Sequence, residues 1–264
     1  MTGELEILHE QPDGAAHTVP LLFVHGICHA AWCWQENFLP YFANAGYSSY
    51  ALSLRGHGKS KNLKPLQKLS LDDYVSDVAD AVNLIGSPAV LIGHSMGGMV
   101  VQKYLEVHSA PAAVLLASVP PGGILPSTLR FALKRPFAFL RINIKRSVLP
   151  LIETPELCKQ FLFSDDMPDA KTDKYFSRMQ DESFRAMLDM MGLSLPHPQK
   201  VNSPMLILGA ENDAFVSRRE YEQTGRAYGF TPEIFPEMGH DMMLDTGWRK
   251  TADRILECLD NFNL

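Results

Sequence analysis

The stretch Ala89-Val-Leu-Ile-Gly-His-Ser-Met-Gly-Gly98 decides the fold. Ala89 to Gly93 is an apolar run of strand length, and Met99 to His108 reads as a helix. Between them lies Gly93-His94-Ser95-Met96-Gly97, a G-x-S-x-G pattern on a strand-to-helix turn. Glycines at 93 and 97 let strand and helix approach without a Cβ clash. The turn concentrates backbone strain at Ser95 and pushes its hydroxyl into the open. The helix beneath it offers free N–H donors and a partial positive charge.

Outward from this turn, apolar runs alternate with helical patterns. Leu21 to His25, Tyr47 to Leu54 and Ala112 to Ala117 read as further strands. Runs this continuous imply burial on both faces, as in a parallel sheet. Leu71 to Ile85 reads as an amphipathic helix with Ser70 as N-cap and Asp73 three residues on. From Pro121 to about Lys200 the strand rhythm stops and proline-punctuated helical segments replace it. It resumes with a strand at Met205–Gly209, a helix at Arg218–Tyr228, a strand at Phe230–Phe235 and a last helix from Trp248. The pattern implies an α/β chain with a mostly parallel, doubly wound sheet. Its core is residues 1–120 and 201–264, and residues 121–200 form a helical insertion.

Composition narrows the partners. With 264 residues, 46% of them hydrophobic, the chain can bury one large core. A net charge of −6 speaks against wrapping nucleic acid. No run approaches a membrane span, and Met1 to Pro20 lacks the basic start and apolar run of a signal peptide. Cys28, Cys33, Cys158 and Cys258 have no metal-type spacing, so they read as reduced thiols in a cytoplasmic protein. Neither H-E-x-x-H nor C-x-x-C occurs, so no metal or other cofactor is expected.

A neutral serine is a poor nucleophile and needs a base. His240, in Glu237-Met-Gly-His240 past the last strand, is the best placed histidine. The base needs an acid to hold its tautomer. Asp213 follows the strand Met205–Gly209 by four residues, and Glu211 is the alternative. Asp241 and Asp245 follow the histidine too closely and read as helix-start charges. His25 reads as bracing its loop and His94 as packing under the turn. His29 reads equally as a pocket or a surface residue.

Ser95, Asp213 and His240 occur in the order found in α/β-hydrolases. His25-Gly26, Arg55-Gly-His-Gly-Lys-Ser60, the turn at Ser95, the late aspartate and the final Gly-His together resemble the serine hydrolases of that fold. The resemblance implies an oxyanion hole from the backbone N–H groups of Ile27 and Met96. It implies substrate contacts from Gly26, Cys28 and His29, and a lid built from the helical insertion. His25-Gly-Ile-Cys-His-Ala-Ala-Trp32 further resembles the plant methylesterase and hydroxynitrile lyase branch. The lyases carry a threonine where this chain has Gly26 and a lysine where it has Asp241, which favours the esterase side. Dehalogenases and epoxide hydrolases carry an aspartate where Ser95 stands.

The expected activity is therefore hydrolysis of a small-molecule carboxylic ester with an apolar acyl or small alkyl group. A thioesterase or amidase with the same triad, and a slow ligand-binding receptor of the same fold, are the alternatives. The insertion is apolar, with Leu125, Leu129, Phe131, Phe137, Phe139 and Leu140 early and Met179, Met187, Met190 and Met191 late. These read as an acyl pocket or as lid-to-core packing. Residues 121–150 also carry six cations and no acid. That face reads as a contact for an anionic membrane surface or ligand, or as a solvated face partly paired with the acids of Asp165–Asp173.

Overall fold

Seven strands form one sheet in this computed structural model, which describes residues 4–61, 63–262 and 264. They are β1 (Glu6–Glu10), β2 (Leu21–Val24), β3 (Ser49–Ser53), β4 (Val90–His94), β5 (Ala113–Leu116), β6 (Met205–Ala210) and β7 (Glu233–Phe235). Their spatial order is β1-β3-β2-β4-β5-β6-β7. Every neighbouring pair is parallel except β1 with β3. The chain has the α/β-hydrolase fold that the motif set implied.

Helices cover both faces. Before β6 they are α1 (Trp32–Gln35), α2 (Phe38–Asn44), α3 (Leu71–Ile85), α4 (Met96–Tyr104), α5 (Leu125–Lys134), α6 (Pro136–Lys145), α7 (Pro155–Leu162), α8 (Asp169–Phe176) and α9 (Phe184–Leu188). After it come α10 (Arg218–Tyr228) and α11 (Trp248–Asn261). Successive strand residues point to opposite faces. Phe23, Ile92, Val114 and Leu208 therefore join one core with α1, α2 and α11. Leu22, Leu91, Leu115 and Ile207 join the other with α3 and α4. Each such fully buried side chain contributes about 1.5–3 kcal/mol, so central strands this apolar have one stable register.

Local signals set the helix ends. Ser70 Oγ accepts from the Asp73 N–H at 3.2 Å, and Asp73 returns the contact to the Ser70 N–H at 2.9 Å. Gly86, at φ +80°, closes α3 in the left-handed region. Residues 117–204 contain helices and no strand.

Three elements differ from the sequence expectation. β1 was not expected, because Glu6-Ile-Leu-His-Glu10 has no continuous apolar run. It lies half-buried at the sheet edge, held by Glu6 to Ser53 Oγ at 2.6 Å. α4 starts at Met96 rather than Met99. β7 starts at Glu233 rather than Phe230, because the Phe230 N–H is spent closing α10 on the Gly225 carbonyl. Pro232 has no N–H to give a ladder. The four cysteines are free and buried. No helix among the described residues is long and apolar enough to cross a membrane. Of the N-terminal segment, residues 1–3 lie outside the described residues.

Candidate active site

Ser95 is the first residue after β4 and the N-cap of α4, with φ +51° and ψ −118°. A serine at positive φ is strained by about 1–3 kcal/mol, and the surroundings impose it. Its N–H donates to the Leu116 carbonyl of β5, and its carbonyl accepts from Val119. A Cβ at Gly97 would meet the Val24 and His25 carbonyl oxygens at 2.3 and 2.4 Å. One at Gly93 would meet the Gly97 carbonyl oxygen at 2.6 Å. The obstacles are backbone, so only glycine lets α4 lie this close to β2 and β4.

His240 bridges Ser95 and Asp213. Its Nε2 lies 3.0 Å from Ser95 Oγ, and its Nδ1 lies 2.7 Å from Asp213 Oδ2. With Nδ1–H donated to the carboxylate, Nε2 keeps a lone pair for the hydroxyl proton. The ring is buried, with Phe215 edge-on at 4.9 Å between centroids. Burial alone would disfavour the imidazolium, but the charge and hydrogen bond of Asp213 outweigh it and raise the His240 pKa above the usual histidine value.

Asp213 is well satisfied. It accepts from the N–H groups of Phe215 at 2.7 Å and Val216 at 2.9 Å, and from the Tyr221 hydroxyl. Burial pushes its pKa up, but His240, Tyr221 and the backbone donors more than reverse that and hold it ionised. Glu211, the alternative acid, is exposed and accepts from the Glu237 N–H instead. Tyr221 had no sequence signal; it reaches Asp213 because α10 packs on β6.

The loop after β2 faces Ser95. A Cβ at Gly26 would lie 2.9 Å from the Ser95 Cβ. His25 Nδ1 donates to the Gly26 carbonyl at 2.8 Å, and His25 Nε2 accepts from the Leu54 N–H at 3.0 Å. Burial keeps this ring neutral, which the pattern requires. The Gly26–Ile27 peptide is planar and trans, so fixing its carbonyl also aims the Ile27 N–H. Among the described residues, neither the Ile27 nor the Met96 N–H has a hydrogen-bond partner.

A cavity of about 510 Å³ opens over Ser95 and His240. Ile27 lines it, with Phe131, Phe139, Phe161, Phe184 and Met187. Gly26, Cys28 and His29, expected to touch substrate, do not line it. Cys28 is buried at φ +64° with its carbonyl bound to the Gln180 N–H, and His29 turns away toward Asp241.

Asp241 and Asp245 also need correcting, because neither starts a helix. Asp245 is buried and holds the His240 loop to Ser164, accepting from the Gly239 N–H at 3.0 Å and the Ser164 N–H at 2.8 Å. Asp241 is fully buried between two rings, 2.9 Å from His29 Nε2 and 3.6 Å from His94 Nε2. His29 Nδ1 in turn donates to the Ile27 carbonyl at 2.7 Å. His94 Nε2 donates to the His240 carbonyl at 3.1 Å. Burial holds the His94 pKa down at about 3, so this ring stays neutral. Asp241 thus lies where the loop after β2, the serine turn and the histidine loop meet. Replacing one partner of a buried pair strands the other. Asp241→Ala is expected to lower unfolding free energy by about 3–5 kcal/mol in urea titrations. His94, His240 and Asp241 bring ligand-type atoms within 4.8 Å of one another, but both nitrogens of His240 are engaged by Ser95 and Asp213.

Residues 21–254 match the family model described as "Alpha/beta hydrolase family". The chain belongs to the α/β-hydrolase family. Among curated proteins, a non-heme chloroperoxidase of Streptomyces lividans is 38% identical over 114 residues, 41% of this chain and 40% of that protein. Methyl jasmonate esterase 1 of Vitis vinifera is 32% identical over 106 residues, 38% of this chain and 40% of that protein. The matched stretch thus spans about 40% of the length of these relatives. Among solved structures, a monoacylglycerol lipase of Paleococcus ferrophilus superposes with a TM-score of 0.74 at 20% identity, covering 98% of this chain and 99% of that one. At that identity the likeness speaks for this α/β-hydrolase's fold alone.

Proposed function

We propose that this α/β-hydrolase cleaves a carboxylic ester with an apolar acyl or small alkyl group. The observation that carries the reading is the bridging His240, joined to Ser95 and Asp213 at the floor of a largely apolar cavity. Ser95 Oγ attacks the ester carbonyl as His240 Nε2 takes its proton. The Ile27 and Met96 N–H groups hold the oxyanion, each worth about 3–4 kcal/mol in the transition state. His240 protonates the departing alcohol, leaving an acyl-Ser95 ester. It then takes a proton from water, whose oxygen attacks that ester, and passes that proton to Ser95 Oγ as the acid departs. Residues 121–200 are a helical cap over this site, and residues 1–120 and 201–264 are its core. Four free buried thiols fit a reducing compartment.

A thioester with an anionic leaving group is the second reading, favoured by Arg130, Lys134 and Arg135 on the cavity wall. Purified protein given p-nitrophenyl, glyceryl and coenzyme A esters of one acyl chain separates the two. Turnover is expected to rise with acyl length while the chain fits the cavity, then to fall. No turnover of any ester, with a Ser95→Ala control at the same background, would remove the enzyme reading in favour of a receptor.

A further inference from the structure

The insertion's apolar residues were expected to line a pocket or pack on the core. Phe131, Phe139 and Ile142 of α5 and α6 do line the cavity. Six others do neither. Leu125, Leu129 and Leu133 stand one turn apart on α5, and Phe137, Leu140 and Ile144 follow the helical repeat on α6. All six are exposed; Leu133, Phe137 and Ile144 are 85%, 83% and 74% exposed. Helical stripes like these normally mark the face that a helix buries. Seven of the twelve exposed large hydrophobics among the described residues fall between Leu125 and Leu149. An apolar surface gathered in one short segment calls for a partner.

Charge identifies the partner. Residues 121–150 carry six cations and no acid, in a chain whose net charge is −6. Arg130 pairs with Glu220, Arg141 with Glu153, and Arg135 donates to Gln160. Lys134, Lys145 and Arg146 make no ion pair among the described residues. Of the acids of Asp165–Asp173, read as partial partners of a solvated face, Asp169 pairs with Lys159 and Asp166 accepts from Ser164 and Thr246.

We infer that α5 and α6 form a docking face for an anionic lipid surface. Leu133, Phe137 and Ile144 enter the boundary between headgroups and acyl chains, and Lys145 and Arg146 meet the lipid phosphates. A second copy of the chain is a poor occupant, because isologous pairing of this face would set the unpaired Lys145 and Arg146 of one copy against those of the other. The same two helices wall the cavity over Ser95.

Flotation of the full chain with phosphatidylcholine vesicles, with and without phosphatidylglycerol, tests this without reference to activity. Binding is expected on the anionic vesicles and is weakened by salt. The triple variant Leu133→Ser, Phe137→Ser, Ile144→Ser is expected to bind about tenfold or more weakly, and Lys145→Gln with Arg146→Gln several-fold more weakly. These side chains are exposed, so thermal melting should be unchanged, and a failed ester assay would leave the result standing. No binding to anionic vesicles overturns the inference. So does equal binding by the triple variant, or a concentration-dependent dimer by sedimentation that the triple variant abolishes.

Discussion

Ser95→Ala is expected to lower kcat for any turned-over ester by on the order of 10⁶-fold, the scale on which removing the serine of a protease triad acts. The effect is large because nothing near Ser95 can replace its oxygen. His240 Nε2 would face a methyl group, and no acyl-enzyme could form. The donors at Ile27 and Met96 and the cavity would persist, so binding and a residual rate above water should survive. Stability should change by no more than about 1 kcal/mol, because one hydrogen bond is lost and alanine bears the same φ of +51°. Initial rates with a p-nitrophenyl ester, beside a thermal melt, read both quantities. Wild-type rates in the variant would remove Ser95 from the mechanism.

Asp213→Asn is expected to cost about 10⁴-fold, roughly 5 kcal/mol, and to move the pH profile. An asparagine can present an NH₂ group to Nδ1 and so favour the wrong tautomer. The sign of the pH effect follows from charge. Catalysis needs neutral His240, so the rate falls as pH drops through its pKa. In the native protein Asp213 holds that pKa above the ordinary value of about 6.5, so the acid limb of kcat/KM should lie above it. In the variant, burial of the ring is opposed only by the smaller effect of Asp241, and the limb should shift to lower pH. An unchanged limb in Asp213→Asn would mean that the profile reports another group.

The sheet was readable because its central strands are buried on both faces, so Leu21–Val24 and Val90–His94 are apolar at every position but the motif itself. β1 was not, because an edge strand needs only half-burial and Glu6–Glu10 carries just two apolar residues, Ile7 and Leu8. Ser95, Asp213 and His240, which the structure brings within hydrogen-bond reach, could be picked out because the G-x-S-x-G turn, the late acid and the final Gly-His restrict residue type and chain order. Asp241 was misread because its partners, His29 and His94, are far from it in sequence and meet it only once the sheet forms. The apolar character of the segment that forms α5 and α6 was visible in the sequence. Periodicity records that a face is apolar, and only coordinates record whether anything covers it.

The proposed catalysis needs a serine hydroxyl activated by the ring beside it. Treatment of the full chain with a fluorophosphonate, followed by peptide mapping, tests that most directly. One adduct per chain, on the peptide containing Ser95 and absent from Ser95→Ala and His240→Ala, is the result the account requires. A native chain that stays unlabelled, or carries its adduct on another residue, would contradict it.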